Sequence, residues 1–195
     1  MRILKEHLAQ RQREGNIINV AIIGSGWFGS GLIRELYHWP GINPKLVITR
    51  SLKRAAESLS HVGIDAKDII TVKTTKEYKA SLAKRNTYLI SDNLELAKEL
   101  KGIDAVFEAT GAVGLCAELA KTVISQGIHF ITANIEMDST VGFAVDDLAK
   151  KHGVVYSISD GDQPGVLSRM IDEVQLYGFE ITVAGNCKTF IDMHQ

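Results

Sequence analysis

Cysteine is scarce in this chain of 195 residues. Its two thiols, Cys116 and Cys187, lie far apart and outside any Cys-x-x-Cys or Cys/His spacing, so neither a disulfide framework nor a zinc site is indicated. Reduced thiols in a cytoplasmic protein are the expectation. Neither sign of charge is in excess: 22 Lys and Arg oppose 23 Asp and Glu, a net charge of -1. General attraction to nucleic acid or to an anionic membrane is thereby excluded, and any bound anion has to be held locally. Long hydrophobic runs are missing too. No segment approaches a membrane span, and the N-terminal MRILKEHLAQRQREG has basic residues without the apolar core of a signal peptide. That segment reads as a short amphipathic helix.

What is present is the composition of a folded domain, with 45% hydrophobic and 23% charged residues. The length suffices for one domain with a well-buried core and the beginning of a second. Residues 16–23 (NIINVAII) form a β-branched, nearly continuous apolar run, the pattern of a strand buried on both faces. A glycine-rich turn follows, then a helix from Trp27 to Tyr37 that ends at Trp39-Pro40-Gly41. Further strands are expected at 45–49, 87–91, 104–108, 128–132 and 154–157. Helices are expected at 113–126 and 139–152, with Gly127 and Gly153 as left-handed caps. The stretch 51–86 is polar and weakly periodic, with short helices at 52–59 and 76–84.

Strand and helix alternating in this way predict an α/β fold with a parallel sheet covered on both faces. Six strands complete a doubly wound Rossmann sheet of order 3-2-1-4-5-6. The domain is expected over 1–160, and 161–195 would begin a second, catalytic domain that the chain does not complete. There Pro164 suits a first helical turn, the helix runs to about Tyr177, and 179–184 (FEITVA) reads as one more strand. A lone apolar strand beyond a finished sheet is expected to belong to a larger one.

Gly24-Ser25-Gly26-Trp27-Phe28-Gly29 is a G-x-G-x-x-G sequence placed between the first strand and the first helix. Gly24 permits the tight turn, Gly26 lets backbone approach a pyrophosphate, and Gly29 lets the helix lie close to the strand. The helix start supplies free N–H groups to the phosphates. Proteins preferring NAD carry an acidic residue at the end of the second strand, whereas here the sequence is Thr49-Arg50-Ser51, with Lys53 and Arg54 behind. A guanidinium grips a 2′-phosphate that a carboxylate would repel, which favours NADP over NAD; the alternative is a solvated loop. Ala109-Thr110-Gly111 follows the fourth strand, where small residues let backbone pass near the ribose and nicotinamide or simply form a turn.

Four segments, IGSGWFG, FEATG, HFITANIEMD and VVYSISDGDQPG, together resemble the N-terminal half of the homoserine dehydrogenase-like oxidoreductases. Within them the chain looks closest to the branch similar to 1-deoxy-D-xylulose 5-phosphate reductoisomerase (DXR-like). The resemblance runs from the first helix to the AGNCKTF segment. It implies hydride transfer between NADPH and a small carbonyl or polyol substrate, a phosphorylated keto-sugar in the DXR-like case, usually helped by a divalent metal ion. It also implies self-association through the rest of the chain. Homoserine dehydrogenases carry Thr-Ala-Asn-Lys after the fifth strand, but here Thr132-Ala133-Asn134 is followed by Ile135 and Glu136. Homoserine oxidation therefore stays an alternative, as does a non-catalytic nucleotide-sensing module.

Glu136 either orients a substrate hydroxyl or holds a metal ion, or else complements a helix dipole. Asn134 either faces the nicotinamide amide or bonds its own turn. The resemblance puts Asp162 and Lys188 on the substrate side, against a capping role for the first and a free terminal position for the second. His129, inside the fifth strand, reads as a satisfied core histidine.

Overall fold

The computed structural model describes residues 2–82, 84, 87–159 and 165–185. Seven strands form one sheet: β1 (Ile18–Ile23), β2 (Ile42–Ile48), β3 (Ile69–Thr71), β4 (Tyr88–Ser91), β5 (Ala105–Glu108), β6 (His129–Thr132) and β7 (Tyr156–Ile158). All neighbours are parallel, in the order β3-β4-β2-β1-β5-β6-β7. The helices are α1 (Arg2–Arg13), α2 (Trp27–His38), α3 (Leu52–Ser60), α4 (Thr75–Leu82), α5 (Val113–Ile124), α6 (Ile135–His152) and α7 (Gly165–Leu176). The chain divides into two compact units, Met1–Ile158 with the sheet and Ser159–Gln195 with α7.

Alternation along β1 explains the layering. Val20 and Ile22 point to one face, where Ile33 of α2 and Ala55 and Leu59 of α3 cover them. Ala21 and Ile23 point to the other, beneath Cys116, Ala120 and Val123 of α5 and Met137 and Val145 of α6. A strand with no solvent face needs helices on both sides, which is what the parallel crossovers provide.

The chain runs outward from β1 through β2 and then returns to lay β5 on the opposite side of β1. The ends of β1 and β5 therefore lie side by side, with Ala109 N–H donating to the Ile23 carbonyl at 2.8 Å. At the carboxyl edge of such a sheet, the point where strand order reverses opens a crevice.

The expected order of six strands is kept, with β3 added as an edge. β3 has only three residues and follows a tight turn at Ala66–Asp68, so it leaves no periodic signal. Residues 179–184 are not a strand; without a neighbouring strand to take its backbone hydrogen bonds, an apolar alternation has no ladder to join. α6 starts one turn earlier than expected because the Asn134 side chain accepts the Met137 N–H at 2.9 Å and caps it there. His129 is satisfied but not buried: it stands exposed at the amino edge, accepting the Val155 N–H at Nδ1. A strand's first residue lies at the sheet margin, where helices no longer cover it. Gly127 and Gly153 take left-handed φ of 74° and 66°. No helix among the described residues is long and apolar enough to cross a membrane.

Several ionisable groups are buried inside the first unit. Burial, reinforced by the neighbouring Glu108 and opposed by the contact with Thr132, pushes the Cys116 thiol up from 9.0 to about 12. Burial also raises the Tyr78 phenol, whose O–H donates to the Lys101 carbonyl at 2.8 Å. Burial lowers Lys45, whose Nζ is held by the Thr87 carbonyl at 2.7 Å, and this works in the opposite sense. Cys116 and Tyr78 keep their protons when folded at a pH where the unfolded chain loses them. Their contribution to stability is thus full below about pH 9 and lost as pH rises toward 12. Thermal melts should show Tm falling above pH 9. Tyr78→Phe should flatten that fall while costing about 1 kcal/mol at neutral pH for the missing hydrogen bond.

Candidate functional site

The end of β1, the start of α2 and the end of β5 meet with almost no side chain between them. Gly24 has φ +104°, and a Cβ there would lie 2.6 Å from the Ala109 carbonyl oxygen. A Cβ on Gly29 would run into the Gly24 carbonyl, so α2 packs directly on the turn that precedes it. Gly26 differs from both. It is the N-cap of α2, no side chain caps the helix there, and a Cβ would meet nothing within 4 Å. Bare, uncapped backbone at a helix start is an anion-binding surface, since its N–H groups lack partners and the dipole end is positive. The residues present thus fit a diphosphate.

One flank of this junction is tied to β2. The buried Ser25 hydroxyl lies 2.7 Å from Thr49 Oγ1, and Ser30 Oγ donates to the Ser25 carbonyl at 3.0 Å. Thr49 Oγ1 also accepts the Ser51 N–H, and Ser51 Oγ caps α3 by accepting the Arg54 N–H, each at 3.4 Å. The hydroxyls of Ser25, Thr49 and Ser51 thus hold the loop in shape. Arg50 stands exposed between the last two, its guanidinium free of ion pairs among the described residues. Lys53 is 3.9 Å from Glu57 on the outer surface of α3. At the start of α2, Trp27 is 91% exposed, while Phe28 leans on Phe107 of β5 with ring centroids 5.9 Å apart.

The other flank is formed by the loops after β5 and β6. Thr110 and Gly111 are exposed, and Gly111 turns the loop with φ +72°. Asn134 is 2% exposed; its Oδ1 caps α6, and its Nδ2 is buried without a partner. Local turn bonding therefore accounts for half of this amide and leaves a donor orphaned, which costs stability unless an acceptor arrives. Glu136 is exposed in the first turn of α6, where a carboxylate complements the dipole. Asp138, in the same first turn, accepts the Tyr156 O–H at 2.7 Å. That bond, after burial, raises the Tyr156 phenol. Asp162 and Lys188 lie outside the described residues. Among the described residues no group of three or more His, Cys, Asp or Glu could hold a metal ion.

The residue that sequence reasoning passed over is Glu108, the last of β5. It is fully buried and takes three hydrogen bonds, from Thr110 N–H at 2.6 Å, Thr110 Oγ1 at 2.5 Å and Thr132 Oγ1 at 2.7 Å. The signal was a carboxylate closing an otherwise apolar strand, in Phe107-Glu108-Ala109-Thr110-Gly111.

No family model matches this chain, and no curated protein matches its sequence. Solved structures do. GenD2 from gentamicin A biosynthesis, in complex with NAD, superposes with a TM-score of 0.54 at 17% identity over 73% of this chain and 34% of that one. A homoserine dehydrogenase from Thiobacillus denitrificans gives 0.53 at 19% identity, covering 72% and 29%. An NAD-binding protein from Listeria innocua gives 0.52 at 18% identity, covering 72% and 34%. At such identities the likeness is one of fold, and the chain spans about a third of the length of these neighbours.

Gly26 and Gly29 differ in what the fold requires of them. Gly29→Ala should lower Tm by several degrees, because backbone stands where the methyl group would go. Gly26→Ala should keep stability within about 0.5 kcal/mol of the parent, as read by denaturant unfolding.

Proposed function

We propose that this chain is the dinucleotide-binding part of an oxidoreductase that uses a nicotinamide cofactor, NADPH in preference to NADH. The observation that carries the proposal is Gly26: an uncapped helix start, free of side chain, at the crevice where the sheet order reverses. On this reading the N–H groups of the first turn of α2 hold the diphosphate, while Ser25, Thr49 and Ser51 fix the shape of the adjoining loop. Arg50 receives the 2′-phosphate that distinguishes NADPH from NADH, its unengaged guanidinium offering two parallel donors. Thr110 and Asn134 flank the nicotinamide end, the buried Nδ2 of Asn134 finding its acceptor there. Bound in this crevice, the cofactor supplies the hydride chemistry.

The substrate proposed is a small carbonyl or polyol, a phosphorylated keto-sugar being favoured by the resemblance to the DXR-like branch. Glu136, exposed two residues after Asn134, would orient a substrate hydroxyl. The resemblance gives Asp162 and Lys188, which lie outside the described residues, roles toward the substrate as well. A second reading, homoserine oxidation, gains from the homoserine dehydrogenase among the structural neighbours and loses from Ile135, which stands where those enzymes carry lysine. An assay of NADPH oxidation by the whole protein with phosphorylated keto-sugars and with aspartate semialdehyde separates the two. Turnover of the semialdehyde alone would reject the first.

Cofactor choice is tested on binding alone. Arg50→Asp should weaken NADPH by about ten-fold or more while changing NADH little, as measured by calorimetry. Equal losses for the two would remove the role given to Arg50. Gly26→Val should abolish binding of both.

A further inference from the structure

Glu108 poses a question that cofactor geometry alone does not answer. It is a carboxylate with 0% exposure and no ion pair among the described residues, at the carboxyl edge of a central strand. A buried charge is costly unless hydrogen bonds replace its lost water. Here they come from two loops at once. Thr110 donates through both its N–H and its O–H to Oε1, and Thr132 donates its O–H to Oε2. Each hydroxyl in turn accepts the backbone N–H of the residue two positions on, Ala112 at 3.3 Å and Asn134 at 2.9 Å. Three donors thus converge on its two oxygens, two on Oε1 and one on Oε2. Cys116 Sγ lies 3.2 Å from Thr132 Oγ1, and its burial keeps that thiol protonated, so the thiol brings no charge of its own to the cluster.

The consequence concerns the loops after β5 and β6, which the proposed function sets beside the nicotinamide. We infer that Glu108 is a positioning residue that locks these two loops together, and that its buried charge favours the oxidised, cationic nicotinamide ring over the reduced, neutral one. The inference rests on the dinucleotide reading and goes beyond it. Inside the protein the charge is weakly screened, so it acts on a ring at the crevice through the loops it holds. Its two effects are separable: the hydrogen bonds fix the loops whatever the redox state, whereas the charge discriminates between the states.

The experiment compares Kd for NADP+ and for NADPH by calorimetry on the intact protein and on two variants. Glu108→Gln keeps the shape and removes the charge. It should weaken NADP+ more than NADPH, shifting the ratio of the two constants by about three-fold or more. Thr132→Val keeps the charge and removes one clamp bond, and it should weaken both forms by similar factors. An unchanged ratio in Glu108→Gln overturns the inference. Should that variant fail to fold, the unaltered protein is titrated with NADP+ and with its carbon-linked benzamide isostere, which has the same shape without the ring charge. Tighter binding of the cationic form supports the inference, and equal affinity overturns it. Failure of the unaltered protein to bind either NADP+ or NADPH is a different result, which rejects the dinucleotide reading itself.

Discussion

Close approach of backbone to backbone at one corner is the constraint on which the rest of the site depends. α2 can begin where it does only because Gly29 lets it lie on the Gly24 carbonyl, and Gly24 can turn only because no Cβ stands against Ala109. These contacts bring the start of α2 onto the seam between β1 and β5. Gly26 then presents uncapped helix backbone to solvent at the place where the sheet order reverses. Members of one glycine motif thus differ: two are needed by the protein's own backbone, and at the third a side chain would meet nothing.

Around that corner the polar groups fall into two sets. Ser25, Thr49 and Ser51 spend their hydroxyls on one another and on the start of α3, which gives the flank toward β2 a fixed shape with Arg50 projecting from it. On the opposite flank Glu108 gathers Thr110 and Thr132 in the same way, with a buried carboxyl group at the centre. Both flanks are organised by side chains that end strands, where the sheet's hydrogen bonding stops and the orphaned loop amides need other partners.

Much of this was legible beforehand, for identifiable reasons. The two-faced apolar run at 16–23 and the short strand signal at 104–108 announce central parallel strands, and the glycine spacing fixes the junction between β1 and α2. What escaped depends on contacts remote in sequence. β3 exists because β4 is beside it, and three residues carry no period. Residues 179–184 show the converse, an alternating pattern with no strand beside it. Lys45 sits buried in β2, satisfied by the Thr87 carbonyl, an arrangement invisible in the run of apolar residues that follows it. Glu108 was hidden for the same reason: Thr132 lies 24 residues away and is brought within reach only by the pairing of β5 with β6. At Asn134 the residues offered two roles, and the structure assigns the Oδ1 to the helix cap while leaving Nδ2 without a partner.

Where a diphosphate binds decides the function proposed for this corner of the sheet. Titrating the 15N-labelled protein with NADPH and following backbone amides reads this directly. The amides of Gly26, Trp27 and Phe28 should move first and furthest, while Gly41 and Thr87 at the opposite sheet edge keep their positions. Saturating NADPH that leaves the start of α2 unmoved, or that shifts the opposite edge instead, would contradict it.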